Sequence, residues 1–305
     1  EECIIYNAKN QRLPVNRSSH FSASDLLSII NKKNKNNGSY SLEPGGQLEW
    51  ASPPLKNLHS INEALDSHKA LRKKIINQYD LKIINYGVEP EYMPGSIDLI
   101  DDSKYQLMNK CFEENGTMGK WMMRNTASIQ INFDTVSERE MEEMVFIADC
   151  LQPVSAYLFS NSPFQNGKPV GNKNLRNLIW ENTDNIRCRN LIDHGIITSG
   201  QLIDKYIKYV LNVPGIFELD KSGLCTQTVK TLGGRLSELD ENEFTIQDND
   251  NFTSKVLMVC GRTEKEDLSK SDISDISRRF ANKRLFNLAN SYLENLRQEA
   301  RIVFK

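Results

Sequence analysis

The sequence predicts an α+β fold, an antiparallel β-sheet flanked by α-helices, and three observations predict it. Amphipathic helical stretches recur, at 59–80, after Ser137 and at 201–212. A two-residue alternation runs over 126–134, with Ala127, Ile129, Ile131 and Phe133 on one face and Thr126, Ser128, Gln130, Asn132 and Asp134 on the other. Strands and helices follow one another without the regular alternation of a parallel β/α fold.

Taken in order, residues 1–15 read as a short strand and a loop, with Glu2, Ile4 and Tyr6 spaced by two. Ser22 caps a helix from Ala23 whose apolar positions are Leu26, Leu27, Ile29 and Ile30. The polar, basic run 31–38 reads as a solvated loop. In 47–50, Gln47 and Glu49 share one strand face, Leu48 and Trp50 take the other, and Gly45-Gly46 makes a turn that a side chain would obstruct. The helix over 59–80 turns Ile61, Leu65, Leu71, Ile75 and Ile76 inward, and a strand follows at 81–87. After the alternating strand at 126–134, Ser137 and Glu140 form a capping box for a helix that Pro153 kinks or ends. The helix over 201–212 carries Leu202, Ile203, Tyr206, Ile207, Val210 and Leu211, and Pro214 marks its exit. The stretch 235–252 holds six acids against one base and reads as an acidic connector, and helical periodicity returns over 270–300. The expected organisation is a core over 1–217 and a divergent part over 218–305.

Composition narrows the function classes. The 305 residues carry a net charge of −2, which offers no field for nucleic acid or an anionic membrane. No apolar run approaches the ~18 residues that span a bilayer. The six cysteines, at 3, 111, 150, 188, 225 and 260, form no C-x-x-C pair, so a zinc site has no support. Most are expected as small buried hydrophobes, which points to a reducing compartment and a cytoplasmic location. Cys111, Cys188 and Cys225 fall in expected loops, and no regulatory disulfide is expected.

If the strands containing Glu2, Glu49 and Gln130 pair, then Glu2, Gln47, Glu49, Gln130 and Asn132 converge on one sheet face, a set of oxygen donors suited to Mg²⁺. The alternative is an ordinary solvated face of an antiparallel sheet.

Several segments, in order, resemble the plant-like glutamate–cysteine ligase family. Glu43-Pro44-Gly45-Gly46-Gln47-Leu48-Glu49, followed by Pro54-Leu55-Lys56-Asn57-Leu58-His59, resembles its E-P-G-G-Q-x-E and P-L-x-x-L-H. Gln130-Ile131-Asn132-Phe133-Asp134 is similar to Q-x-N-x-D, and Leu151-Gln152-Pro153 with Leu158-Phe159-Ser160-Asn161-Ser162-Pro163-Phe164 to L-Q-P and L-F-A-N-S-P-F. Gly167-Lys168-Pro169 and Arg176-Asn177-Leu178-Ile179-Trp180, through Thr183-Asp184 to Arg187, continue the match. The resemblance implies a glutamine-synthetase-like fold, its antiparallel sheet forming a funnel. It implies ATP- and Mg²⁺-dependent joining of L-glutamate to L-cysteine through a γ-glutamyl phosphate, the first step of glutathione synthesis, by a monomer or weak homodimer.

By the same resemblance Glu2, Glu43, Glu49, Gln130 and Asn132 face the metal, with Glu49 and Arg176 catalytic. Arg176, Trp180, Thr126 and Lys104 meet substrate. If residues 176–180 are helical, Arg176 and Trp180 share a face. Asp184 and Arg187 read equally well as a structural ion pair. Two departures stand out. The family's R-Y-x-x-M appears here as Lys104-Tyr105-Gln106-Leu107-Met108, and its late Y-L-E-x-R is approached only by Tyr292-Leu293-Glu294 with Arg297 one residue too far. A catalytically silent homologue that binds glutamate or a protein partner, and a ligase for another amine, are the alternatives.

Overall fold

A computed structural model describes residues 1–35, 38–220, 224–238, 244–249 and 253–258. The expected helices of 270–300 lie outside the described residues. In chain order the elements are β1 (Glu2–Asn7), α1 (Ala23–Lys33), β2 (Ser39–Leu42), β3 (Leu48–Ala51), α2 (Leu58–Gln78), β4 (Leu81–Ile84), α3 (Ser103–Asn115), α4 (Gly119–Asn125), α5 (Glu138–Leu158), β5 (Phe164–Gln165) and β6 (Lys168–Pro169). Then come α6 (Leu175–Glu181), α7 (Leu202–Asn212), β7 (Phe217–Leu219), β8 (Cys225–Gln227), α8 (Leu232–Glu238), β9 (Phe244–Asn249) and β10 (Thr253–Met258). Mixed α and β structure with small antiparallel sheets is thus the observed class.

The chain divides into two compact units. The first comprises Glu1–Asn132, Leu151–Arg189 and Gly215–Val229. Its centre is a sheet of order β2-β3-β1-β4, antiparallel throughout, with Glu2 opposite Glu49 and Ser41 opposite Glu49. Alternation sorts the two faces. Cys3, Ile5, Tyr40, Leu48 and Trp50 point to one side and pack with Leu26 and Ile30 of α1 and Ile75 and Ile76 of α2. Ile4 and Tyr6 point to the other side, against Ala127. Glu2, Ser41 and Glu49 therefore belong to the face turned away from α1 and α2.

The local signals for these elements are visible. Ser22 and Asp25 form the reciprocal capping box that starts α1, and the side chain of Asn57 accepts from Ser60 N–H to start α2. Gly46 has φ of +79°, a left-handed conformation open to glycine, and closes the β2–β3 turn. A Cβ on Gly45 would lie 2.5 Å from Arg124 Cα, so the turn is pressed against the end of α4.

The second unit comprises Phe133–Cys150, Asn190–Pro214 and the described residues from Lys230 on. It holds the first part of α5, α7, α8 and the hairpin of β9 and β10, paired with Ile246 opposite Val256. Helix α7 takes the predicted place and exposes Tyr206 and Ile207.

Four expectations need correction. Residues 126–134 are not a strand: Thr126 makes an isolated bridge to Val88, Ala127 N–H bonds Gly87 O, and Ser128 O accepts Glu2 N–H. Beyond Ser128 no strand among the described residues takes up the backbone, and Ile129, Ile131 and Phe133 are exposed. Alternation shows that a segment can be a strand, whereas pairing decides that it is one. Of the two outcomes expected at Pro153, a kink or an end, the end does not occur: α5 runs on to Leu158. The acidic stretch 235–252 contains the end of α8 and the whole of β9. Its period-two run Phe244-Thr245-Ile246-Gln247 is the strand signal, masked by the acids around it. Among the cysteines, Cys3 and Cys111 are buried but Cys150 is exposed; Cys111 lies in α3 and Cys225 in β8 rather than in loops.

Candidate functional site

The sheet register builds an acidic cluster. Glu2 and Glu49 are direct cross-strand partners, so their side chains leave the same face. Glu43 follows Ser41 by two residues, just beyond β2, and keeps that face. Carboxylate oxygens of Glu2, Glu43 and Glu49 lie within 4.8 Å of one another. Ser41 Oγ donates to Glu49 Oε2 at 2.8 Å. Gln130 Nε2 donates to Glu2 Oε1 at 2.8 Å and to Ser128 Oγ at 3.3 Å, so the irregular segment still delivers Gln130 to the cluster.

The electrostatics show what this closeness costs. Burial, then the charges of Glu2 and Glu49, push the Glu43 carboxyl up to about 7. Burial also raises Glu2, with Glu49 adding to the shift while Ser128 and Arg176 oppose it. Like-charged carboxylates held this close favour a proton or a cation among them. The donor set, all oxygen and anionic, fits a hard divalent ion such as Mg²⁺.

Beside the cluster stands Arg176, on α6. Asn174 caps this helix by accepting from Asn177 N–H. The 176–180 spacing puts the Arg176 guanidinium over the Trp180 ring, 5.6 Å from its centroid, as a helix requires. The guanidinium makes no hydrogen bond or ion pair with another described residue, and its buried Nε has no partner. Burial lowers its basicity and the Glu2 charge works the other way.

Other expected site residues are placed differently. Gln47 is buried and turns inward, with Nε2 donating to Thr126 O at 2.8 Å; it ties β3 to the segment after α4 instead of joining the carboxylates. Thr126 is buried and its hydroxyl donates to Met122 O at 2.7 Å. Lys104 opens α3, with Nζ 3.8 Å from Asp102 and 4.9 Å from the Tyr105 ring centre. Asn132 is exposed on the irregular segment. Asp184 is fully buried, accepts from the N–H groups of Ile186 and Arg187, and pairs with Arg187 Nη1 at 2.5 Å, which makes this pair a turn-forming ion bridge.

Sequence reasoning missed a second polar group. Arg12 Nη1 donates to Glu89 Oε2 at 2.7 Å, and Tyr6 Oη donates to Glu89 Oε1. Arg12 Nη2 donates to both Gly45 O and Arg124 O at 2.9 Å. Arginine at 12 and glutamate at 89 stand in no shared motif, so no spacing signal announces them. Ser41 was equally silent, although its position two before Glu43 is a usable clue.

Comparison with known proteins places this geometry. The family model described as glutamate-cysteine ligase family 2 matches residues 1–283, beyond residue 217 where the readable motifs end. A chloroplastic glutamate–cysteine ligase of Nicotiana tabacum is 30% identical over 225 residues, 72% of this chain and 42% of that protein. The chloroplastic enzyme of Arabidopsis thaliana is 33% identical over 184 residues, covering 60% and 35%. Chloroplastic glutamate–cysteine ligase A of Oryza sativa subsp. indica is 33% identical over 179 residues, covering 59% and 36%. The chain thus matches well under half the length of these relatives. Their chloroplastic names overturn the expectation of a cytoplasmic location; the expected burial of the cysteines bore on redox conditions and not on the compartment itself. On the ordered motifs, the acidic cluster and the family match together, the chain belongs to glutamate-cysteine ligase family 2.

Proposed function

We propose that the protein joins the γ-carboxylate of L-glutamate to the amine of L-cysteine with consumption of ATP, the first step of glutathione synthesis, in a plastid like its named relatives. The observation supporting this most strongly is the cluster of Glu2, Glu43 and Glu49 beside an unpartnered, half-buried arginine. The cluster would gather cationic charge for phosphate groups, and the arginine would grip a carboxylate. Glu2, Glu43 and Glu49 would hold Mg²⁺, and Gln130, whose amide nitrogen is committed to Glu2, leaves its carbonyl oxygen as a further donor. Asn132 is the remaining oxygen donor of this set. The cation would neutralise phosphate charge during transfer.

The γ-carboxylate attacks the γ-phosphorus of ATP, the bond to ADP breaks, and γ-glutamyl phosphate forms. The cysteine amine then attacks the acyl carbon, phosphate leaves, and the nitrogen gives up a proton. The chain's own contribution is placement. Arg176 grips the glutamate α-carboxylate through two parallel N–H donors, and Trp180 backs the guanidinium. Thr126 and Lys104 are secondary candidates: the Thr126 hydroxyl donates to Met122 O, and the Lys104 ammonium lies near Asp102 and the Tyr105 ring. The four-stranded sheet would form part of the funnel of a glutamine-synthetase-like fold.

Phosphate release from ATP with glutamate and cysteine at saturating Mg²⁺ tests the proposal. Turnover that requires both amino acids and disappears in Glu49→Gln is expected, and a folded preparation without turnover overturns it. Replacing cysteine by other amino acids decides acceptor choice. Lys104, where the family pattern has arginine, favours one second reading, a chain that binds glutamate without phosphoryl transfer. Glutamate binding without phosphate release would support that reading.

A further inference from the structure

We propose that Arg12 is a positioning residue for the acidic cluster, its guanidinium pinning the Glu43 turn to the exit of α4 so that the carboxylates stay at ligand spacing for a divalent cation. The inference rests on reading Glu2, Glu43 and Glu49 as a cation site.

Arg12 reaches the segments that supply the cluster. Its Nη2 spans two backbone carbonyls, Gly45 O two residues after Glu43, and Arg124 O in the last turn of α4. From that turn the chain runs directly to Ser128 and Gln130. Carbonyls in the last turn of a helix have no partner within it, and Arg12 supplies one. Its Nη1 is held by Glu89, whose other oxygen accepts from Tyr6 on β1 and from the N–H groups of Glu91 and Tyr92. Tyr6 shares the sheet face of Glu2. One guanidinium and one carboxylate thereby join β1, the β2–β3 turn and the α4 exit, which between them carry Glu2, Glu43 and Gln130.

The side chains of Arg12 and Glu89 are 6% and 0% exposed. A buried ion pair is a poor source of stability, because desolvation offsets its attraction. An apolar pair could fill the same space, yet it could not donate to two carbonyls at once. Nor does the Arg12 charge act on the carboxylates in any leading way: the charges that most affect Glu2 are those of Glu49 and Arg176, and those that most affect Glu43 are Glu2 and Glu49. Arg12 is neutralised by Glu89, so its effect on the site is geometric.

The test uses Mn²⁺ as the probe, with free Mn²⁺ followed by electron paramagnetic resonance in the absence of nucleotide. Arg12→Lys keeps the charge and loses the planar fork. It is expected to weaken Mn²⁺ binding tenfold or more while circular dichroism stays that of the wild type. Ile30→Val, a conservative truncation in the core beneath α1, serves as a destabilised control and should bind Mn²⁺ as the wild type does. Tyr6→Phe removes a single donor to Glu89 and keeps the test open if Arg12→Lys does not fold; a two- to fivefold loss is expected. Wild-type affinity in folded Arg12→Lys, or in Tyr6→Phe where the lysine variant does not fold, overturns the positioning role alone. A wild-type protein that binds no Mn²⁺ overturns the cation-site reading and the positioning role with it. Equal losses in Arg12→Lys and Ile30→Val assign the effect to general stability and also reject the proposal.

Discussion

At the scale of single residues, the site is defined by charged groups that no described residue pairs directly. Arg176 is the clearest case, a cation with a buried, unsatisfied Nε and an aromatic ring beneath it. If it grips glutamate, Arg176→Lys should raise the Michaelis constant for glutamate roughly ten- to hundredfold, the equivalent of ~1.5–3 kcal/mol for a charge-assisted hydrogen bond, with little change for ATP. Trp180→Ala should act on the same constant, and the double variant should fall short of the summed effects because both residues order one ligand. Initial-rate kinetics with each substrate varied in turn checks this. Glu43 makes a prediction of opposite character. Its folded carboxyl titrates at about 7 against 4.5 for an unperturbed glutamate, so the folded state binds the proton more tightly than the unfolded one. The stabilisation that follows is complete below about pH 4.5 and is lost as pH rises through 7. In metal-free buffer the melting temperature of the wild type should fall between pH 5 and pH 8 by more than that of Glu43→Gln, which has no proton to lose.

At the scale of elements, the β2–β3 turn and the exit of α4 decide whether the carboxylates meet. Gly45→Ala would force its Cβ to within 2.5 Å of Arg124 Cα and 2.6 Å of Arg124 O, both backbone atoms that cannot swing aside. Overpacking of this kind costs about 1–3 kcal/mol. Gly46→Ala would put a side chain at φ +79°, at about 1–2 kcal/mol. Urea denaturation should show both losses, and no comparable one in Gly200→Ala, which has open space around it. These elements also show what the sequence could and could not reveal. Helix α1 was readable from its Ser22 cap, and α1, α2 and α7 from the spacing of Leu26, Ile30, Ile75 and Leu202, because periodicity and capping are local properties. The Glu43–Glu49 segment was readable too, since Gly45-Gly46 and the Leu48/Trp50 alternation fix the turn and the buried face. Residues 126–134 misled, since alternation says nothing of a partner strand. The Arg12–Glu89 pair was invisible, because 77 residues separate its members and only the folded sheet brings them together.

At the scale of the whole molecule, the cation reading predicts a coupling between ligand, proton and stability. The three carboxylates repel one another in the metal-free fold, and the unfolded chain does not hold them together. A divalent ion that binds only the folded form stabilises it by RT ln(1 + [L]/Kd), about 2.7 kcal/mol at a hundredfold excess over Kd. For a protein of this size that corresponds to a rise in melting temperature of roughly 4 °C. The rise should depend on pH. With Glu43 titrating at about 7, the ion must displace a proton at pH 6 and meets a largely ionised carboxylate at pH 8, so the Mg²⁺-induced rise should be larger at pH 8. The sign separates this mechanism from general screening by salt. Screening would relieve carboxylate repulsion with NaCl at matched ionic strength as well as with MgCl₂, whereas a site discriminates between them. Calorimetry at pH 6 and pH 8, with each salt and with Glu49→Gln alongside the wild type, checks all three dependences. A melting temperature that responds equally to the two salts, or a variant that responds as the wild type does, would remove the cluster from consideration as a cation site and return Glu2, Glu43 and Glu49 to a strained acidic patch on an antiparallel sheet.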